Sequence, residues 1–124
     1  MNMMHIPAKE DTPEIFLNPE TGNFKFSGRS LPEDVSNFYS PVLHWLDEYL
    51  ASPAENTVVD FQMSYFNTAS SKIILDILLR LEKLSAEGKN VRIRWHYPKN
   101  DEDMADAGIE YSEIVDIPFD HLPY

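Results

Sequence analysis

Three hydroxyl side chains lie within four residues where a strand pattern gives way to a helix pattern. The stretch DFQMSYFNTASSKIILDILLRLEKL begins at Asp60 and carries these hydroxyls on Thr68, Ser70 and Ser71. One such side chain commonly caps a helix N-terminus, and either Thr68 or Asn67 could take that role. The position also suits a phosphate, because a helix N-terminus presents free N–H groups and the positive end of the helix dipole.

A phosphate on Thr68 would lie at this helix end, with Lys72 one turn further along the helix. It would add about 1.5 to 2 negative charges beside the first turns of the helix. The residues alone leave two interpretations of Thr68 open, a simple helix cap and a phosphorylated switch residue.

The helix that follows has more apolar residues than one buried face needs. Leu75 and Leu79 lie off the core stripe, and two explanations are open: a wide buried face, or an apolar surface for a partner protein. The predicted core stripe consists of Ile73, Ile74, Ile77, Leu78, Leu81 and Leu84.

Other candidate sites lack the pattern that their chemistry requires. The acidic run from Asp101 to Asp106 has alanine where a calcium-binding EF-hand loop needs glycine, so a solvated acidic face is expected and a metal site is the alternative. The four histidines have no common ligand spacing. Ser64, Asp60 and His96 could be arranged as a catalytic triad, but no nucleophile elbow or oxyanion glycine accompanies them.

A basic stripe is predicted on one strand. Arg92, Arg94 and His96 alternate with apolar residues, so they share a face. The stripe is interpreted either as the polar cover of an open sheet face or as a docking face for an acidic partner.

The charge balance bears on the class of partner. The net charge is −11, with 21 acidic and 10 basic residues, which disfavours nucleic acid and anionic membranes. There is no cysteine, no signal-peptide pattern and no apolar stretch long enough to span a bilayer. We therefore expect a cytoplasmic protein without membrane insertion and without a cofactor.

The first half of the chain predicts a hairpin followed by a helix. Residues 1–12 are expected to be flexible, and EIFLNPETGNFKFSG alternates in the manner of two strands around a turn. The main helix is expected to start near Ser40, with Pro41 as its first residue, because proline is awkward inside a helix. A short turn of helix with Val35 and Phe38 could lead into it, and one longer, kinked helix is the alternative.

The second half predicts strands and helices in alternation. Two strands, ENTVVDFQMSY and NVRIRWHYP, flank a helix from about Ser70 to Glu87; an acidic helix ending at Gly108 follows, and then an edge strand over EIVDIPFD. Every strand alternates, whereas parallel strands covered on both faces are continuously apolar. We therefore predict a single α/β domain over residues 13–124, with a mixed sheet and its helices mainly on one face.

The strand–loop–helix stretch resembles the signature of anti-sigma-factor antagonist (STAS) domains. FNTAS occupies the place of their phosphorylated loop, and the phosphorylated serine of that family falls on Thr68. The chain differs from the signature by Asn67 in place of an acid and by the lack of the glycine.

Three longer blocks resemble the SiaC family of bacterial regulatory phosphoproteins. The blocks are GRSLPEDVSNFYSPVLHWLDEYL, DFQMSYFNTASSKIILDIL and WHYPKNDEDMADAGIEYSEIVDIPF, and they cover about half of the chain. This resemblance implies a STAS-like domain without catalytic activity. It also implies that a dedicated serine/threonine kinase phosphorylates Thr68 and that a PP2C-type phosphatase reverses this.

In the family, the unphosphorylated form binds and activates a diguanylate cyclase, which raises cyclic di-GMP and promotes biofilm formation. The resemblance therefore implies a phospho-switch at Thr68, with Asn67, Ser70, Ser71 and Lys72 around the phosphosite. Ser70 and Ser71 lie in the first turn of the helix, where they are expected to bond free backbone donors and to keep the segment polar and accessible to a kinase, and they are rival phosphosites. Leu75 and Leu79 are the candidate partner contacts. Two alternatives are an anti-sigma-factor antagonist and a small metal protein or enzyme that uses the acidic segment.

Overall fold

The computed structural model describes all 124 residues as one sheet with three helices. The elements in chain order are β1 (Met4–Ile6), β2 (Glu14–Leu17), β3 (Asn23–Ser30), α1 (Val35–Ala51), β4 (Asn56–Phe66), α2 (Thr68–Ala86), β5 (Asn90–Tyr97), α3 (Glu102–Ile114) and β6 (Phe119–Pro123). None of the helices is both long enough and apolar enough to cross a membrane.

The six strands lie in the sheet in their chain order. β1, β2 and β3 pair antiparallel, whereas β3, β4, β5 and β6 pair parallel through crossovers that contain the helices. The prediction of an α/β domain with a mixed sheet is confirmed.

All three helices pack on one face of the sheet. Alternate strand residues point into this layer, where Phe24 packs edge-on against Trp45 of α1 and Trp95 packs against Tyr111 of α3. The predicted inward residues of β4 are buried as well. The opposite face carries the polar residues of the alternation and has no helix over it, which explains why no strand is continuously apolar.

The N-terminus is not the flexible segment that the sequence predicted. Met4–Ile6 forms the edge strand β1, and the indole nitrogen of Trp45 donates to the carbonyl of Asn2 at 2.7 Å. Three residues are too few for a recognisable alternation, so the pairing with β2 could not be foreseen.

Helix α1 is the longer helix of the two alternatives, and the predicted start at Ser40 is wrong. Asp34 caps the helix by accepting from the N–H of Asn37 at 3.1 Å, and Pro41 lies inside it. An interior proline costs about 3 kcal/mol. The buried stripe of α1 offsets that cost; its members are Tyr39, Val42, Trp45, Leu46 and Tyr49.

Helix α3 continues through Gly108, where the sequence predicted its end. A Cβ atom on Gly108 would lie 2.4 Å from Cδ1 of Trp95, so glycine is needed here for the close approach of helix and sheet rather than for a helix end. The last strand is an edge strand, as predicted, but it starts after Pro118 instead of containing it.

Gly108→Ala will lower the free energy of unfolding by about 1–3 kcal/mol. The added methyl group overlaps the fully buried indole of Trp95, whose nitrogen donates to the carbonyl of Met104 at 2.9 Å. This overlap outweighs the gain of up to about 1 kcal/mol from replacing an interior helical glycine. Urea unfolding measures the difference, with Glu110→Ala on the exposed side of α3 as the control. Equal stability of the two variants would contradict the packing role.

A β-bulge lies at the end of β4, immediately before the Thr/Ser segment. Gly28 pairs with Met63 whereas Arg29 pairs with Tyr65, so Ser64 is an extra residue. The extra residue reverses the alternation. Phe66 consequently packs edge-on against Trp95, and Tyr65 turns to the open face of the sheet.

Candidate functional site

Helix α2 begins at Thr68, directly after the bulged end of β4. Its cap is Asn67, whose side-chain oxygen accepts from the N–H of Ser70 at 2.8 Å. Thr68 is therefore the first helical residue and not the cap, and its side chain is exposed. As the first helical residues, Thr68 and Ala69 have no intrahelical acceptor for their N–H groups.

Ser70 is fully buried, which contradicts the expectation that it is accessible. It belongs to a cluster of three buried hydroxyls with Ser30, at the end of β3, and Tyr39 of α1. The Ser30 hydroxyl lies 2.8 Å from that of Ser70 and 2.6 Å from that of Tyr39. The Ser70 hydroxyl donates to the carbonyl of Ser30 at 3.0 Å, so the first turn of α2 is bound to β3.

The protons of this cluster can be assigned from its geometry. Ser70 donates to the Ser30 carbonyl and Ser30 donates to the Ser70 oxygen, so Tyr39 must donate to the Ser30 oxygen. Asn67 also donates its N–H to the Ser30 carbonyl, at 3.2 Å. The segment that carries Thr68 is therefore held by β3 and α1, and a modification of Thr68 meets a fixed backbone.

Ser71 is half-buried and its hydroxyl is also engaged. It lies 2.9 Å from the hydroxyl of Tyr111 in α3, which in turn donates to the Ser71 carbonyl at 2.9 Å. Of the three hydroxyls in the predicted segment, Thr68 alone is exposed, with no protein partner for its side chain. The predicted bonds from Ser70 and Ser71 to free backbone donors of the helix are replaced by these tertiary contacts.

The buried cluster affects the ionisation of Tyr39. Burial raises the pKa of Tyr39 to about 12. Burial likewise raises the pKa of Tyr111. Both tyrosines keep their protons more strongly in the folded chain than in the unfolded chain.

The free energy of unfolding will therefore fall between about pH 10 and pH 12, by about 1–3 kcal/mol for Tyr39. A raised pKa stabilises the folded chain below the unfolded pKa of about 10, and this stabilisation is lost as the pH rises toward the folded value. In Tyr39→Phe the free energy of unfolding will fall less than in wild type, by the Tyr39 contribution of about 1–3 kcal/mol. Urea unfolding at pH 8, 10 and 11.5 measures it, with the exposed Tyr65→Phe as the control. If the free energy of unfolding fell equally between pH 10 and pH 11.5 in wild type and in Tyr39→Phe, Tyr39 would not be the cause.

Thr68 shares the outward stripe of α2 with the two leucines outside the core. Leu75 and Leu79 follow Thr68 by seven and eleven residues, and Lys72 lies between them and Thr68 at four residues. These spacings place the side chains on one helix face, about 10 Å and 16 Å along the axis from Thr68. Leu79 is 42% exposed, whereas Leu75 is half-buried against the edge of the core.

The sequence did not single out Tyr65, which lies three residues before Thr68. Its ring is 47% exposed, and the guanidinium of Arg29 stands over it at 5.8 Å from the centroid. Exposed aromatic and arginine side chains are enriched among the energetically important residues of protein interfaces. The alternation of β4 places Tyr65 in the core, and only the bulge at Ser64 brings it to the surface.

The remaining chemical candidates are not assembled into sites. The acidic residues of α3 are dispersed over its surface, and no group of three His, Cys, Asp or Glu residues stands close enough to hold a metal ion. Nε2 of His96 lies 2.7 Å from a carboxylate oxygen of Asp60, but neither shares a hydrogen bond with Ser64, so the pair has no serine nucleophile.

Comparison with known proteins identifies the family. The model of the SiaC family of regulatory phosphoproteins matches residues 6–124. An uncharacterised protein of Pseudomonas aeruginosa strain UCBPP-PA14 is 33% identical over 119 residues, which are 96% of this chain and 94% of that protein.

Solved structures share the fold over the whole chain. The crystal structure of apo-SiaC from P. aeruginosa has a TM-score of 0.89 at 31% identity and covers 98% of this chain and 99% of SiaC. SiaC in complex with the diguanylate cyclase SiaD, as its activator, has a TM-score of 0.91 at the same identity and coverage. The chain therefore belongs to the SiaC family of regulatory phosphoproteins.

Proposed function

We propose that this chain is a non-enzymatic phospho-switch whose unphosphorylated form binds and activates a diguanylate cyclase. The observation that carries the proposal is its close structural similarity to SiaC, which is bound to SiaD as its activator. The product of the cyclase, cyclic di-GMP, makes biofilm formation the expected output. The proposed location is the cytoplasm, where the substrate GTP is available.

Thr68 is the proposed phosphosite, and its accessibility supports this choice over its neighbours. A kinase must reach the hydroxyl, and Thr68 is exposed whereas Ser70 is fully buried and Ser71 is bonded to Tyr111. A phosphate on Thr68 would accept from the free N–H groups at the start of α2, with Lys72 one turn away. A dedicated serine/threonine kinase and a PP2C-type phosphatase would set its level.

The outward stripe of α2, defined by Thr68, Lys72, Leu75 and Leu79, is the proposed cyclase surface. Leu79 offers an exposed apolar contact, and Thr68 lies on the same face at the N-terminal end of the helix. A partner that covers the leucines would meet a phosphate on Thr68 directly. Tyr65 and Arg29 border the stripe and extend the proposed surface.

A second candidate function keeps the same site and changes the partner. The STAS-like arrangement, with a phosphosite after the central strand, would also suit an antagonist that binds an anti-sigma factor. The similarity to SiaC bound to a cyclase favours the cyclase as the partner.

The test combines phosphate mapping with an activity assay. The chain and its cognate diguanylate cyclase are mixed with GTP, and cyclic di-GMP is measured before and after treatment with the cognate kinase. We expect the unmodified chain to raise the rate, and peptide mapping to find one phosphate, on Thr68. Thr68→Ala will accept no phosphate and will still activate, whereas Ser71→Ala will be phosphorylated normally.

Two results would contradict parts of this proposal separately. An unmodified, folded chain that neither binds the cyclase nor raises its rate would overturn the activator function. A phosphate found only on Ser70 or Ser71 would leave that function standing but overturn the assignment of Thr68.

A further inference from the structure

The uncovered face of the sheet, opposite the helices, has a charge unlike that of the rest of the molecule. It carries four of the ten Lys and Arg residues but only three of the 21 Asp and Glu residues, so its net charge is +1 in a chain of −11. The basic residues are Lys25, Arg29, Arg92 and Arg94, and the acids are Glu14, Asp60 and Asp120.

The strand register sets these charges side by side. Lys25, Asp60, Arg94 and Asp120 are successive partners across β3, β4, β5 and β6. Asp60 forms an ion pair with Arg94 at 3.4 Å, and Asp120 accepts a hydrogen bond from Arg92 at 2.8 Å. Each carboxylate leaves its cation accessible, because the Arg92 and Arg94 side chains are 51% and 45% exposed.

Two further cations have no carboxylate in contact. Lys25 is exposed and forms no ion pair, and Arg29 lies over the ring of Tyr65. Apolar side chains lie among these charges and offer contacts that a purely polar ligand cannot make. They are the half-buried Phe16, Val58 and Leu122. The face therefore combines accessible cations with apolar contact area, which is the composition of a protein-binding surface.

We propose that the open sheet face docks an acidic segment of a partner protein, at a surface separate from the outward stripe of α2. Arginine binds carboxylates with two parallel hydrogen bonds, and Arg92 and Arg94 are about 7 Å apart along β5. Carboxylates at alternate positions of an extended segment have the same spacing.

The overall charge selects the kind of anion that can bind. A nucleic acid or an anionic bilayer is an extended array of charge, and the net −11 of the molecule repels it. A short acidic segment interacts only with charges within about 8 Å at physiological salt, so it meets the cations of this face and is screened from the acids on the helix side.

The test titrates the 15N-labelled chain with a ten-residue peptide of alternating Glu and Thr and follows the backbone NMR signals. We expect saturable shifts on β4 and β5, and none with the same peptide carrying Gln in place of Glu. The double variant Arg92→Gln/Arg94→Gln will bind the peptide about tenfold or more weakly, since each substitution removes a charged hydrogen bond to the peptide. The control double variant Lys9→Gln/Lys83→Gln removes the same charge away from this face. Its affinity for the peptide will change by less than about twofold.

Folding of the double variant is checked by thermal melting, and Lys25→Gln provides an independent test because Lys25 has no ion pair to lose. The Lys25→Gln variant will bind the peptide more weakly than wild type, with an unchanged melting temperature. The proposal is overturned by shifts confined to the helices, by equal binding of the Gln peptide, or by an equal effect of the control variants. It is also overturned if inorganic phosphate or phosphatidylglycerol vesicles bind this face more tightly than the peptide, or if sedimentation shows a second copy of the chain occupying it.

Discussion

A phosphate on Thr68 will lower the affinity of the chain for its diguanylate cyclase by about 100-fold or more. The phosphate stands on the same helix face as Leu79, so a partner that covers this face must desolvate the phosphate or clash with it. Burying an unpaired charge costs several kcal/mol, and each 1.4 kcal/mol is a factor of about ten in affinity. Titration calorimetry with the purified cyclase measures the change.

The fold itself is expected to tolerate the phosphate. Thr68 is exposed at a helix N-terminus, where an anion is favoured, and the buried hydroxyls of Ser30, Ser70 and Tyr39 hold the backbone beneath it. Thr68→Ala will bind the cyclase as tightly as wild type, before and after kinase treatment. Undiminished binding by the Thr68-phosphorylated chain would place the cyclase on another surface.

Leu79→Asp will weaken cyclase binding by about 10- to 100-fold, because it places a charge in the apolar part of the proposed surface. The stability will change by no more than about 0.5–1 kcal/mol, since Leu79 is 42% exposed and lies outside the core. Calorimetry gives the affinity, and urea unfolding gives the stability of the same samples.

Ile109→Asp is the matched control for this variant. Ile109 is 46% exposed, on helix α3, so the chemical change is nearly the same on a different surface. Its affinity for the cyclase will stay within about twofold of wild type, as is usual for substitutions outside an interface. If both variants bind equally, or if Leu79→Asp unfolds the chain, the α2 stripe is not the cyclase surface.

The parts of the fold that the sequence predicted correctly have strong periodicity. The alternation of β5 and the spacing of the α2 stripe extend over two or more turns or pleats, and most of the residues they assign to the core are buried. Ile73 of the predicted α2 stripe and Tyr97 at the end of β5 are only partly buried, at the edge of the core. Of the predicted site, the exposed Thr68 on the strand-to-helix junction has the accessibility that a phosphosite needs, whereas its role remains a proposal.

The wrong predictions share a physical cause, which is that tertiary packing overrode a local preference. Pro41 and Gly108 are both unfavourable inside a helix, yet the core contacts of α1 and the close approach to Trp95 place them there. The position of Ser70 in the first helical turn predicts an accessible side chain bonded to free backbone donors. Its burial depends on Ser30, which is 40 residues away in the chain, so no local pattern could reveal it.

We expect a phosphate on Thr68 to block the cyclase locally, through the surface of α2. At physiological salt, charges further apart than about 8 Å are largely screened, so a long-range repulsion would weaken as salt is added. The most direct test titrates the cyclase with Thr68-phosphorylated and unmodified chain at low and at high salt. We expect the phosphorylated chain to fail to bind at both salt concentrations. Recovery of most of its affinity at high salt would contradict the local mechanism.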